Sequence, residues 1–270
     1  MKLHQRPFHV AMRIIRNRGG GDILDNQVWA TVNAAYKHLY PSGDFSMPAV
    51  QIGGVGLRDR FYLARVNLGY GTFSVQPLRQ IDILWEELEV MFRNQPDQVW
   101  RASYSVSDVW DFGYGVMDRA GQNAEADILW GKSGSSIEAT AALLERGRHM
   151  LDAAVQSACL AAELAMKGTL AWLGVDEPTR RTFSHGLSSL VAEIIRLRPS
   201  KSDDRFARAA ANMPNYVRTR YDEHGLTRVQ IGELAMRSQY LAAEAVRRVS
   251  DRNLAGTLED DPNHAPRVFP

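Results

Sequence analysis

Apolar residues recur at helical spacing in two segments of the first hundred residues. From Asp25 to Leu39 the apolar positions fall three or four residues apart, which predicts an amphipathic helix that ends before Pro41. From Leu78 to Phe92 the same spacing predicts a second helix, which ends before Pro96. Both segments therefore favour helices in the first part of the chain.

Two other segments in this part have the composition of strands. Phe61 to Val75 and Val99 to Val116 are rich in β-branched and aromatic residues, and both contain glycines. This composition predicts strands or hairpins. We therefore expect residues 1–130 to form a mixed α+β domain.

The pattern changes near residue 130 and becomes helical almost throughout. Residues 121–136 are rich in Gly and Ser, which predicts a linker or a helix entry with Ser136 as the cap. Beyond it the periodicity predicts helices over Ile137 to Leu173, His185 to Leu197, Asp203 to Arg220 and Arg228 to Val249. We assign residues 136–252 to an all-α bundle and residues 253–270 to a loose polar tail. The expected fold class is α+β, a mixed domain with hairpins followed by a helical bundle.

Composition and charge narrow the function classes. Hydrophobic residues make up 45% of the chain and charged residues 23%, as in ordinary globular proteins. The 32 Lys and Arg are balanced by 31 Asp and Glu, so the chain has no overall positive charge that would attract nucleic acid. Any contact with nucleic acid must therefore come from a local basic patch. Charged residues interrupt the apolar positions near the N-terminus, and no run is long enough to span a bilayer. We expect a cytoplasmic protein that does not contact a membrane.

Three motifs in the second half occur in a characteristic order. The first is CLAAELAMKGTLAWLG, from Cys159 to Gly174, which places Glu163 and Lys167 one helical turn apart. The second is FSHGLSSLV, residues 183–191, and the third is YVRTRY, residues 216–221. In order and spacing they resemble the HEPN domain (higher eukaryotes and prokaryotes nucleotide-binding). Gly186 departs from the pattern, because many members have an acidic or amide residue there.

The resemblance implies a metal-independent ribonuclease whose site is shared across a homodimer and contains an Arg followed, after four to six residues, by a His. Two places fit this spacing: Arg180 and His185 with four residues between them, and Arg218 and His224 with five. Arg181 adjoins the first of these matches. His would move a proton at the 2′-hydroxyl or the leaving oxygen, and Arg would hold the phosphate. We take His185, Arg180 and Arg181 as the candidate catalytic set. The candidate substrate-binding set is Arg218, Arg220, Tyr221 and His224.

A non-catalytic interpretation stays open for each of these residues. His185 could start a helix and form a hydrogen bond to a backbone carbonyl or a neighbouring helix, which would orient the bundle without chemistry. The arginines and the tyrosine of the third motif could serve packing and helix-end ion pairs. In that case the bundle is a dimerisation or nucleotide-binding module, and the N-terminal domain recognises a partner protein.

Several further motifs are explained better by structure than by chemistry. The glycines of QIGGVGLRDR, residues 51–60, lack the third glycine of a dinucleotide fingerprint, so we expect a turn. GKSGSS, residues 131–136, lacks the first glycine of a P-loop, since Ala126 stands there. Asp108 and Asp111 follow no Gly-Ser turn, which argues against a nucleotidyltransferase site. Cys159 lies in an apolar segment and is expected in the core.

The histidines and the single cysteine show no zinc spacing, so we expect neither a metal nor another cofactor. Arg13, Arg16 and Arg18 could contact a phosphate backbone, although a solvated strand end also explains them. The leading hypothesis is recognition of RNA or nucleotides, with metal-independent RNA cleavage, by a homodimer in a stress or defence setting that only the family implies.

Overall fold

The computed structural model describes residues 6–19, 26–42, 49–67, 74–146, 150–215 and 225–267. The fold is α+β, as the sequence predicted: helices predominate, and a two-stranded antiparallel sheet lies in the N-terminal part of the chain. The chain divides into two units, Met1–Val50 with Asn67–Gln76, and Gln51–Val66 with Pro77–Pro270. Packing within the larger unit thus continues across the predicted boundary near residue 130. Separate roles for the two predicted domains stay a prediction.

The smaller unit contains α1 (Arg6–Asn17) and α2 (Gln27–Leu39). Ala11 and Ile15 are buried on one face of α1, where apolar side chains of α2 pack against them. At the start of α2 the Asn26 side chain accepts a hydrogen bond from the Val28 amide, 2.9 Å away. This cap satisfies one of the free amides of the first turn.

A β-hairpin opens the larger unit, with β1 at Ala49–Leu57 and β2 at Arg60–Asn67. The glycines expected in a turn lie inside β1 instead. Side chains from a helix and from β2 approach the backbone of this strand closely at these positions. At Gly53 a Cβ would lie 2.5 Å from the Val109 side chain, and at Gly54 it would lie 2.1 Å from the Phe61 ring. The glycines therefore permit close packing in the core.

The next helices are α3 (Trp85–Asn94) and α4 (Pro96–Arg119). The prediction of strands over Val99 to Val116 was wrong, because this segment lies within α4. Every residue from 102 to 115 is buried, including the charged Asp108 and Asp111, so this part of α4 has no solvent-exposed side. Because β-branched and aromatic residues are common in strands, the composition of this segment led to the wrong prediction.

Two long helices follow, α5 (Ala124–Arg146) and α6 (Leu151–Trp172). Residues 124–136 were expected to lie in a linker but belong to α5, and Ser136 is internal rather than a cap. The small residues allow α5 and α6 to approach closely: the Ser133 hydroxyl donates a hydrogen bond to the Ala161 carbonyl at 2.7 Å. Ser133 is fully buried, so its contact is with the neighbouring helix and not with solvent.

The remaining helices complete the bundle: α7 (Glu177–Thr182), α8 (Leu187–Leu197), α9 (Asp203–Ala211), α10 (Arg228–Arg247) and α11 (Leu254–Asp260). One core cluster joins α6, α8, α9 and α10 through residues that include Met166, Leu190, Phe206 and Leu241. The predicted helix over Asp203 to Arg220 ends earlier, at Ala211. Among the residues that the structure describes, no helix is both long and apolar enough to cross a membrane.

The segment predicted as a loose tail is instead ordered as far as residue 267. It contains α11, and Arg267 is buried with its guanidinium paired to the Asp108 carboxylate. The Tyr104 hydroxyl donates a hydrogen bond to the Ala265 carbonyl at 2.7 Å. Tyr104 and Asp108 lie about 160 residues before the residues they contact. The composition of the C-terminal segment alone could therefore not predict these contacts.

Candidate active site around His185

His185 lies in the short turn that joins α7 to α8. Ser184 adopts a left-handed backbone conformation with φ 49°, and the Gly186 amide donates to the Phe183 carbonyl at 2.9 Å. At Gly186 a Cβ would lie 3.1 Å from that carbonyl oxygen, a tight contact. The turn fixes the backbone on both sides of His185, whose side chain is 46% exposed.

A buried carboxylate holds the imidazole ring. Glu163, on α6, is only 4% exposed, and its Oε2 lies 2.9 Å from His185 Nδ1. Its other oxygen, Oε1, accepts a hydrogen bond from Lys167 Nζ at 2.7 Å. An ionised carboxylate only accepts hydrogen bonds, so this contact places a proton on Nδ1. Glu163 thereby orients the ring, as the carboxylate of a catalytic triad does.

The sequence predicted Glu163 and Lys167 as a helical pair but did not connect them with His185. The non-catalytic interpretation expected His185 to hydrogen-bond a backbone carbonyl or a neighbouring helix, and Glu163 lies on such a helix, α6. The described partner is a carboxylate, and the ring is half-exposed rather than buried. The available signal was the position of Glu163 in a run of Ala, Leu and Met, because a charge buried in an apolar helix requires a partner.

Arg180 does not fit the phosphate-binding role that its spacing suggested. Its side chain is only 5% exposed, and its guanidinium donates hydrogen bonds to the Val175 carbonyl and to the Glu125 carboxylate. These contacts tie α7 to α5. Arg180 is therefore a structural residue in this fold.

Arg181, the residue after Arg180, is exposed. Its side chain is 77% exposed, and its Nη2 lies 2.5 Å from Glu177 Oε1, one turn earlier on α7. Exposed pairs of this kind contribute little to stability, so a phosphate could replace the carboxylate at small cost. Among the described residues no hydrogen bond joins Arg181 to His185.

The second match lies outside the described residues. Arg218, Arg220, Tyr221 and His224 all belong to residues 216–224. Their predicted roles in substrate binding, and the alternative site with His224, stay predictions.

Other candidates from the sequence have structural surroundings. Asp108 and Asp111 are buried and paired with arginines. Cys159 is fully buried, and burial together with the nearby charge of Glu163 raises the pKa of its thiol to about 12, so the thiol is protonated at neutral pH. Within the described part of the chain, no three His, Cys, Asp or Glu residues form a group that could hold a metal ion.

An arginine-rich cavity of about 330 Å³ lies between the α8–α9 loop, α10 and the C-terminal segment. Its cations are neutralised by neighbouring acids: Arg247 pairs with Asp108 and Asp111, and Arg248 pairs with Asp203 and Glu244. The cavity is therefore not a strongly positive site.

Comparison with protein families gives one match, to the model of the HEPN domain over residues 126–250. Residues 126–250 are thus similar to a HEPN domain. The match begins within α5, ends just after α10 and includes the Glu163–His185 pair. It confirms the resemblance and indicates a nucleotide- or RNA-related module. The region before residue 126 has no family match. Searches of curated proteins and of solved structures found no match to the chain.

Proposed function

We propose that the HEPN domain recognises RNA and cleaves it without a metal ion. In this proposal His185 transfers the proton and Arg181 binds the phosphate. The observation that carries it is the 2.9 Å contact between His185 Nδ1 and the buried carboxylate of Glu163, on a ring that solvent reaches. A carboxylate-oriented, accessible imidazole is suited to general acid–base chemistry near neutral pH.

The proposed reaction is an internal transesterification. The 2′-oxygen attacks the adjacent phosphorus, its proton passes to the imidazole, and the bond from phosphorus to the 5′-oxygen breaks. The leaving 5′-oxygen takes up a proton, which gives a 2′,3′-cyclic phosphate and a 5′-hydroxyl. Glu163 stabilises the imidazolium that forms, and Arg181 neutralises charge on the phosphate oxygens.

The proposal includes a homodimer, because the family places this chemistry at a site shared by two subunits. A partner protein and a stress or defence role are further expectations from the family. The dimer is tested by light scattering of the purified full chain during gel filtration. A mass near 60 kDa, about twice the 30.2 kDa of one chain, supports it, and a monomer at high concentration argues against a shared site.

The decisive experiment is cleavage of a labelled RNA pool in EDTA by the wild type and by His185→Ala, Glu163→Gln and His224→Ala. We expect the first two variants to lose at least 100-fold in rate, which is the usual range for a proton-transfer group. His264→Ala is the matched control, because His264 also faces a carboxylate, with Nδ1 3.4 Å from Asp261 Oδ2, but belongs to the C-terminal segment. If only His224→Ala loses cleavage activity, the active site contains Arg218 and His224 instead.

A non-catalytic binding module is the second candidate, and the burial of Arg180 favours it. Arg180, which has the expected spacing to His185, serves the fold, and the exposed Arg181 has only three residues between it and His185. This candidate predicts a folded wild type that is inert towards RNA in EDTA at high enzyme concentration. It also predicts measurable binding of nucleotides or RNA by fluorescence anisotropy.

A further inference from the structure

The described residues of the smaller unit contain only basic charges. Arg6, Arg13, Arg16, Arg18 and Lys37 lie on or next to α1 and α2, and no Asp or Glu occurs in the described parts of this unit. Over its full sequence this unit has 6 Lys and Arg against 3 Asp, whereas the rest of the chain has 26 Lys and Arg against 28 Asp and Glu. Positive charge is thus concentrated on one helical hairpin.

Three of these arginines form a stripe on α1, together with a histidine. Arg6, His9, Arg13 and Arg16 follow one another at spacings of three, four and three residues, which places them on one helix face. All four are exposed. At 1.5 Å per residue the stripe is about 15 Å long. We call these four residues the arginine face.

The opposite side of α1 is already occupied. Pro7, Ala11 and Ile15 are buried there, and the partly buried side chains of Trp29 and Val32 on α2 pack against this side. The apolar side of α1 is therefore used within the unit. A helix that binds a membrane surface must insert its apolar side into lipid, so this arrangement favours a water-exposed polyanion.

Only Arg16 of the arginine face, in the last turn, lies where the helix dipole of α1 favours a cation. Arg6 lies in the first turn, where the helix dipole favours acidic residues, and α1 has no acidic residue there. Among the described residues no carboxylate forms an ion pair with Arg6, Arg13 or Arg16. A like-charged stripe without such partners weakens the helix, and an external anion would compensate for this.

We propose that the arginine face of α1 binds the phosphate backbone of RNA and so provides affinity that does not depend on sequence. Arginine contacts several successive phosphates well, because its planar guanidinium grips two oxygens at once. The inference rests on the proposed function in naming RNA as the ligand. It adds a role for the region that has no family match.

The test uses the full chain and a fluorescent 2′-O-methyl RNA of about 20 nucleotides, whose blocked 2′-oxygen prevents cleavage. Binding is measured by anisotropy between 50 and 300 mM KCl for the wild type and for the triple variant Arg6→Gln, Arg13→Gln, Arg16→Gln. The control is Arg93→Gln, Lys201→Gln, Arg208→Gln, which removes the same charge from exposed positions of the larger unit. Circular dichroism verifies that all three proteins are folded.

We expect the triple variant to bind at least tenfold more weakly at 100 mM KCl, and the control to bind within threefold of the wild type. The slope of log affinity against log salt should fall by about 2, because each lost phosphate contact on a single strand accounts for about 0.7. Equal affinities for the two variants would overturn the inference. Face-dependent binding to phosphatidylcholine–phosphatidylserine vesicles without RNA binding would also overturn it.

The same proteins separate this inference from the cleavage proposal. If the wild type cleaves no RNA but binds 2′-O-methyl RNA through the arginine face, the inference stands and the cleavage proposal fails. If the wild type cleaves RNA through His185 while the triple variant binds normally, the cleavage proposal stands and the inference fails. A higher KM with unchanged kcat in the triple variant supports both.

Discussion

Arg247, at the end of α10, is paired with Asp111, in the middle of α4, with Nη2 2.6 Å from Oδ2. Both side chains are buried. The same carboxylate accepts hydrogen bonds from the amides of Leu254 and Ala255, at 2.6 and 3.1 Å. Burial raises the pKa of Asp111, and the charge of Arg247 opposes this shift. One ion pair therefore connects α4, α10 and α11.

Replacing Arg247 should destabilise the fold strongly. Arg247→Met leaves the buried carboxylate of Asp111 without its cation, and removing one partner of a buried pair typically costs roughly 3–5 kcal/mol. Urea denaturation measures the free energy of unfolding. Arg93→Met is the control, because the Arg93–Glu89 pair is exposed, and it should change stability by less than about 1 kcal/mol. Similar values for the two variants would contradict the role assigned to Arg247.

The sequence predicted α2, which has helical spacing of its apolar positions, but it failed at α4, where burial is complete. It also missed α1, whose arginines were assigned to a strand end. The helix over Asp25 to Leu39 was placed well, because its polar and apolar positions alternate with helical spacing. α4 was assigned to strands, since residues 102–115 are all buried and leave no polar side to mark the period. α5 was assigned in part to a linker, because its Gly and Ser residues make close helix contacts that only the partner helix explains.

The candidate site was predicted only in part for a similar reason. The motif located His185, and the Glu163–Lys167 spacing was visible as a helical pair, but their contact depends on how α6 packs beside the α7–α8 turn. The spacing rule favoured Arg180, which has four residues between it and His185, over Arg181, which has three. Their difference in exposure arises from the orientation of α7, which places Arg180 against Glu125.

Substitutions of Arg180 and Arg181 should have different effects on stability and on RNA cleavage. Arg180→Met removes buried hydrogen bonds to Val175 and Glu125, so we expect a loss of roughly 1–3 kcal/mol in the free energy of unfolding, with cleavage per folded molecule little changed. Arg181→Met should leave stability within about 0.5 kcal/mol and lower RNA cleavage or binding at least tenfold. Both quantities are measured on the same preparations. The reverse pattern would assign phosphate binding to Arg180.

Two helical glycines provide a matched test of packing between α5 and α6. In Gly168→Ala the new Cβ would lie 2.6 Å from Trp130 Cδ1, and Trp130 is fully buried, so we expect a loss of roughly 1–3 kcal/mol. In Gly131→Ala the Cβ meets no atom within 4 Å, and the gain in helix propensity should stabilise the protein by about 0.5–1 kcal/mol. Thermal or urea unfolding measures both. A stabilised Gly168→Ala would show that α5 and α6 are not packed this closely.

Cys159 should make stability depend on alkaline pH. Burial, followed by the charge of Glu163, raises the pKa of its thiol from about 9 to about 12. Above pH 9 the unfolded chain loses this proton while the folded protein keeps it, so the thiol lowers stability as pH rises, by about 1.4 kcal/mol per pH unit until about pH 12. Between pH 8 and pH 10.5 the wild type should therefore lose about 2 kcal/mol more than Cys159→Ala in urea denaturation. Comparison with this variant removes the contributions of lysines and tyrosines, which titrate equally in both proteins. Parallel curves, or rapid alkylation of Cys159 in the folded protein, would show that the thiol is not enclosed in the core.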